Sequence, residues 1–237
     1  MRMQTVLDFV YPHQCVMCEA QVEDAGGLCG PCWRQTPFIL GLCCDRCGAP
    51  LPGQSDRAES CDDCLAMARP WSQGRAALIY RDKARRMVLG LKHGDRLDFA
   101  RPAAAWMRKV APLRPGQVVV PVPIHWTRMV RRRYNQAAIL SHEIARAQGL
   151  VCLPQALVRR RRTPLQDGRG VAARFENLRD AIAAHPRHGR ALNGAEVLLV
   201  DDVMTSGATL AAAADACLAA GAARVDMTVL ARVVKDA

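Results

Sequence analysis

Asp201 and Asp202 stand side by side behind the apolar run Val197–Val200, and Thr205-Ser206-Gly207-Ala208-Thr209 follows them. Four apolar residues in a row suit a strand buried on both faces of a parallel sheet, with the two acids where that strand ends. The Ala-rich segment from Ala208 to Ala220 has the composition of a helix. A small, hydroxyl-rich turn between strand and helix makes a phosphate site, because backbone N–H groups and the positive end of the helix dipole face the turn. Gly207 allows close backbone approach, and the three hydroxyls can donate to phosphate oxygens. Adjacent carboxylates can accept hydrogen bonds from a sugar cis-diol, or hold a phosphate-bound Mg2+ through water. The plainer role of capping the helix needs one acid, not two. The stretch is not a P-loop, lacking Gly-Lys-Ser/Thr, nor a dinucleotide fingerprint, lacking G-x-G-x-x-G.

A second chemistry lies at the other end of the chain. Cys15/Cys18, Cys29/Cys32, Cys44/Cys47 and Cys61/Cys64 form four C-x-x-C pairs within fifty residues. A segment this short, bounded by Gly and Pro, cannot fold on a hydrophobic core alone. Thiolates two residues apart can share one tetrahedral ion, so eight of them imply two structural Zn2+ ions. Pairing the first pair with the second and the third with the fourth closes loops of 10 and 13 residues and is preferred, with an interleaved cross-brace as the alternative. Cys43 could stand in for Cys44, and His13 for one thiolate, though spacing favours the eight cysteines. Cys152 and Cys217, alone among apolar neighbours, read as core thiols.

The elements that must position these groups fit a chain of 237 residues, half of them apolar: one α/β domain with a small appendage. Residues 1–70 form the cysteine module and 71–237 the α/β domain. Strands are expected at Arg75–Tyr80, Gln117–Val122 and Arg224–Val233, and helices at Asp82–Leu91, Phe99–Val110 and Ala137–Ala147. Lys92, at the end of the first helix, either answers the dipole, the preferred reading, or is placed over an anion by the adjacent Gly94 turn. No apolar run approaches the ~20 residues of a membrane span. The start MRMQTVLDFVYPHQC lacks the features of a secretory signal, which makes the cytoplasm the expected location.

Charge is concentrated. The net charge is +11, yet residues 76–195 alone hold 24 Lys+Arg against 7 Asp+Glu. Such a domain calls for an anionic partner: a polyphosphate ligand, nucleic acid, or both. Arg128 and Arg131–Arg133 precede a helix, where positive charge opposes the dipole unless an anion is present. Arg159–Arg162 and the following Gly-containing stretch to Gly170 read as a mobile lid, a nucleic-acid contact or a solvated basic surface.

Residues 196–210 resemble the phosphoribosyl-pyrophosphate (PRPP) signature of type I phosphoribosyltransferases: apolar strand, two acids, then T-[ST]-G-x-T. The order of motifs along the chain resembles the ComF family of competence-associated proteins. It runs from the double zinc ribbon through Pro121, Pro123, His125, Arg128, Arg132, Tyr134, Asn135, Gln136 and Ala137 to Thr163, Gln166, Arg174 and Asn177. Arg133 departs from the family, which usually has Gly before the aromatic residue. The resemblance implies a mostly parallel α/β sheet of the type I phosphoribosyltransferase kind, with helices on both faces, beside the double zinc ribbon. It implies that Asp201 and Asp202 hold the ribose as the catalytic pair, and that Thr205, Ser206, Gly207, Ala208 and Thr209 hold the 5′-phosphate. Arg128, Arg132, Gln166 and Arg174 are then expected to meet pyrophosphate that arrives with Mg2+. The implied role is help in the uptake of single-stranded DNA during transformation, with that DNA and a competence helicase or DNA-processing protein as partners. The rival is an active phosphoribosyltransferase of nucleotide salvage, with a nucleobase or amine as acceptor.

Overall fold

The computed structural model describes residues 12–24, 26–93, 96–125, 129–130, 133–161, 171–178 and 180–234, with backbone alone for 171–174. Along the chain run α1 (Gly30–Arg34), α2 (Asp62–Ala66), β1 (Gly74–Ile79), α3 (Asp82–His93), α4 (Ala100–Val110), β2 (Val118–Pro121) and α5 (Gln136–Gln148). There follow β3 (Val151–Cys152), β4 (Leu157–Arg159), α6 (Val171–Leu178), β5 (Ile182–Ala184), β6 (Glu196–Met204), α7 (Ala208–Ala219) and β7 (Arg224–Arg232). The main sheet has the order β1-β7-β6-β2-β3, and every pair in it is parallel.

Local sequence explains most of these elements. Ala84, Met87, Val88 and Leu91 recur at helical spacing and all four are buried, so α3 offers one apolar stripe to the sheet. Asn135 caps α5, its side chain accepting the Ala137 N–H at 3.1 Å, and Gly149 ends the helix at φ +64°. In α7 nearly all side chains are small, which lets the helix lie close against β6 and β7.

The pleat of β6 divides the core. Val197 and Leu199 join α7, the β4–β5 pair and the thiols of Cys44, Cys47 and Cys64 on one face. Leu198 and Val200 join α3, α4, α5 and the thiols of Cys15 and Cys32 on the other. Helices thus cover both faces, and each face carries one cysteine ribbon. Truncating a fully buried Leu here to Ala would cost about 3 kcal/mol.

The second ribbon docks on the start of β1 at backbone distance. A Cβ on Gly48 would lie 2.4 Å from Ala76 N, and one on Gly74 would lie 2.3 Å from the Arg46 carbonyl. Asp45 takes Arg75 Nη2 at 2.6 Å and Gln73 Nε2 at 2.9 Å. Between the two ribbons, Phe38 bridges Leu78 of β1 in antiparallel fashion.

Three features differ from the sequence expectation. β6 does not stop at Val200: it stays paired with β7 as far as Met204, while its other neighbour β2 ends opposite Val200 at Pro121. The two acids therefore sit within a strand, open only on the β2 side. β3, β4 and β5 are two or three residues long, too short to leave a periodic signal. The basic stretch starting at Arg159 leaves from a two-stranded antiparallel stem, with Arg159 opposite Ile182. Residues 162–170, the rest of the expected lid, lie outside the described residues.

Candidate functional site

The chain runs from β2 through α5 to β3 on one side and from β6 through α7 to β7 on the other. β2 and β6 are neighbours, so their carboxyl ends diverge at a topological switch point, where open α/β sheets bind ligands. Asp201 and Asp202 stand at that point.

Asp202 is buried, and its Oδ2 lies 3.1 Å from Lys92 Nζ. Asp201 Oδ1 accepts the Asp202 N–H at 2.8 Å. Desolvation, followed by repulsion from the Asp202 carboxylate, pushes Asp201 up to about 7, against the pull of that N–H and of Lys92 and Arg159. One acid is thus paired with a lysine while its neighbour is pushed up to about 7.

Sequence alone allows an anion role for Lys92 but favours the helix-dipole one; the fold instead brings Lys92 to the acid pair. Lys92 is placed by the segment after β2: Tyr134 Oη donates to the Leu91 carbonyl at 2.9 Å, and Gln136 Nε2 donates to the same oxygen at 3.3 Å. Asn135 Nδ2 ties that segment to the Val122 carbonyl at 3.1 Å. The Tyr-Asn-Gln motif therefore fixes the end of α3 against the end of β2. Arg133 enters the motif at φ +65°, the left-handed region that Gly adopts without cost.

Beyond the acids, the turn opens α7 with Gly207 at φ +85° as N-cap and no side-chain cap. Ser206 Oγ lies 3.4 Å from Ala208 N, a long contact. Asp201 and Asp202 do not cap this helix, so the capping alternative fails.

At the ribbons, the sulfurs of Cys15, Cys18, Cys29 and Cys32 lie within 4.8 Å of one another, and so do those of Cys44, Cys47, Cys61 and Cys64. The sequential arrangement is the one the fold brings together, and the cross-brace is excluded. Tetrahedral Zn2+ with bonds of about 2.3 Å needs sulfurs about 3.8 Å apart. The 3.5 Å separations of Cys18 from Cys29 and of Cys47 from Cys61 fit it. Within each tetrad one thiol is lowered while its neighbours Cys32, Cys47 and Cys64 are raised, so the sulfurs share their protons unequally. Hydrogen bonds from Cys47 and Cys64 hold Cys44 far below the thiol range. Burial works against Cys15, yet backbone N–H groups of Cys29, Met17 and Cys18 bring it down to about 6. Neither Cys43 nor His13 belongs to these tetrads. Burial pushes Cys217 up to about 12, as a core thiol requires, whereas Cys152 is raised by burial yet stays only partly buried against the edge of the core.

Comparison with known proteins matches two segments of the chain. The double zinc ribbon domain family matches residues 6–65, and the phosphoribosyl transferase domain family matches residues 158–236. The DNA utilization protein YhgH of Salmonella typhimurium is 28% identical over 229 residues, covering 93% of this chain and 97% of that protein. Competence protein F of Haemophilus influenzae is 26% identical over 205 residues, covering 83% and 87%. Along nearly its whole length the chain is thus similar to competence and DNA utilization proteins, as its resemblance to the ComF family implies.

Among solved structures, the PRPP amidotransferase of B. subtilis complexed with ADP and GMP covers 60% of this chain and 30% of its own, at 20% identity and TM-score 0.40. The Giardia lamblia APRTase complexed with 9-deazaadenine covers 60% and 70%, at 21% identity and TM-score 0.37. Of the ComF-motif residues expected to meet pyrophosphate, Arg128, Arg132 and Gln166 lie outside the described residues. Arg174 is placed only by its backbone, in α6. No helix among the described residues is long and apolar enough to cross a membrane.

Proposed function

We propose that this ComF-like protein binds PRPP at the β6–α7 turn and serves the handling of incoming single-stranded DNA. The observation that carries the reading is the Lys92–Asp202–Asp201 cluster at the switch point, directly ahead of the Gly207 turn. In this reading the acids accept from the ribose hydroxyls and the turn takes the 5′-phosphate on its N–H groups. Lys92 is the nearby cation for pyrophosphate, with Arg128, Arg132, Gln166 and Arg174 joining from the flanking segments. Mg2+ suits one or two carboxylates plus the ligand's own phosphates, a donor set that Asp201 and Asp202 supply, and it would spread the pyrophosphate charge. Zn2+ at the two tetrads is structural, fixing each ribbon to its face of the sheet. The names of the similar proteins, DNA utilization protein and competence protein, supply the DNA-handling part, and the basic surplus of residues 76–195 supports it. A cytoplasmic setting and a helicase or DNA-processing partner accompany this role.

Calorimetry with PRPP and Mg2+ on the zinc-loaded protein tests the site. Micromolar binding that disappears in Asp201→Asn/Asp202→Asn is the expected result. No heat with the wild-type protein would reject the reading.

One observation keeps the transferase reading in view. Asp201, near neutrality, can take a proton from an acceptor at physiological pH. Consumption of labelled PRPP with a panel of nucleobases and amines, lost in Asp201→Asn, would establish turnover.

A further inference from the structure

Two arginines hold the back of the Thr205–Gly207 turn. Arg232, buried at the end of β7, donates through Nη1 to the Thr205 carbonyl at 2.5 Å, and Arg69 donates through Nη1 to the Ser206 carbonyl at 2.9 Å. In a trans peptide, the carbonyl of one residue and the N–H of the next point opposite ways. Drawing the Thr205 and Ser206 carbonyls onto guanidinium groups therefore turns the Ser206 and Gly207 N–H groups to the other side of the turn. A Cβ on Gly207 would lie 2.5 Å from Met204 Cε and 3.3 Å from Arg69 Nη1, so Gly207 packs directly onto this brace.

Arg69 comes from the ribbon side of the molecule. Its Nε donates to Cys64 Sγ at 3.5 Å, and its guanidinium lies 5.8 Å from the Trp71 ring and 5.7 Å from the Phe175 ring of α6. One planar group thus touches a thiol of the second tetrad with one nitrogen and the backbone of the turn with another. We infer that Arg69 is a positioning residue that couples the second cysteine tetrad to the anion affinity of the turn. The coupling is geometric. A thiolate fixed in a closed tetrad fixes the guanidinium plane, and that plane fixes the Ser206 peptide. Release of the thiolate frees Arg69 to rotate, and the Ser206 peptide loses its orientation. This inference rests on the phosphate reading of the turn.

The test uses the full zinc-loaded chain and has two arms: calorimetric titration with ribose 5-phosphate, and hydrogen–deuterium exchange of residues 204–211, each with zinc per chain measured. Arg69→Ala is expected to weaken ribose 5-phosphate about tenfold and to accelerate exchange at the turn about tenfold, with zinc content unchanged. Arg69→Gln, which retains a donor toward Ser206, recovers part of the affinity. Chelation of the wild-type protein accelerates exchange at the turn to the Arg69→Ala level, and chelation of Arg69→Ala adds nothing there. Unchanged turn exchange in zinc-loaded Arg69→Ala and Arg69→Gln overturns the inference, as does an equal response to chelation with and without the arginine. Absence of ribose 5-phosphate binding by the wild type would remove the phosphate reading, while the exchange arm still decides the coupling.

Discussion

Lys92 Nζ stands 3.1 Å from Asp202 Oδ2, joining the end of α3 to the second acid of β6 across the carboxyl edge of the sheet. Both side chains are largely shielded from water, so the pair is screened far less than a surface ion pair. Lys92→Ala removes the ion-pair partner of Asp202 beside Asp201. PRPP affinity is expected to fall at least tenfold by calorimetry. Unaltered or tighter binding would mean that the lysine merely occupies the ligand's place.

Asp201 gives the site a pH dependence whose sign can be worked out. Its folded value, about 7, lies above the unfolded value of about 4, so between these limits the folded state binds the extra proton. Its contribution to stability is complete below pH 4 and declines as pH rises to 7, by on the order of 1–4 kcal/mol. Asp201→Asn removes the decline, so chemical denaturation should find the variant gaining on the wild type between pH 5 and 8. A constant difference across that range would contradict the assignment.

Tyr134 and Gln136 act on Lys92 through the Leu91 carbonyl. Tyr134→Phe removes one of two donors to that oxygen, a loss of about 1 kcal/mol. PRPP binding should weaken several-fold with zinc content intact, and combining Tyr134→Phe with Lys92→Ala should add little. Additive losses would place Tyr134 outside this chain of contacts.

The two tetrads should respond unequally to removal of one ligand. Cys18 is exposed, whereas Cys47 is fully buried within the sheet's own core. Metal analysis should find two zinc ions per chain in the wild type and one in either Cys18→Ser or Cys47→Ser. Thermal unfolding should show the larger loss for Cys47→Ser, because that change also opens the core around Trp71.

Arg159, Arg160 and Arg161 lead out of the β4–β5 stem. If they meet phosphates, replacing all three by Ala should reduce the log–log salt slope of single-stranded DNA binding by about 0.7 for each phosphate no longer neutralised. An unchanged slope would remove the stem from the DNA path.

What the sequence disclosed follows the range of the interactions involved. The β6–α7 turn was legible because strand, acids, Gly207 and helix are contiguous, and the cysteine tetrads because their spacing is itself the chemistry. Lys92 was legible only as one of two alternatives, and the local one was preferred. A helix C-terminus already accounts for a lysine locally, and its true partner lies 110 residues away. Arg69 and Arg232 carry no motif, and only the fold brings them behind the turn. The extension of β6 past Val200 escaped notice because polar acids seldom continue a buried strand. Here β7 supplies the pairing that local propensity does not.

The Phe38–Leu78 bridge has a further consequence. In the strand order β1 is outermost, and its Ala76, Ala77 and Leu78 are buried. An apolar outermost strand with unpaired backbone groups is a template for intermolecular pairing. The Ile39 N–H donates to the Ala77 carbonyl at 3.0 Å, and the Ile79 N–H to the Pro37 carbonyl at 2.8 Å. The short segment between the two ribbons thus blunts this flank of the sheet, and it is tethered at both ends by thiols. Stripping the metal from this protein would unmask an adhesive strand, so self-association should accompany demetallation.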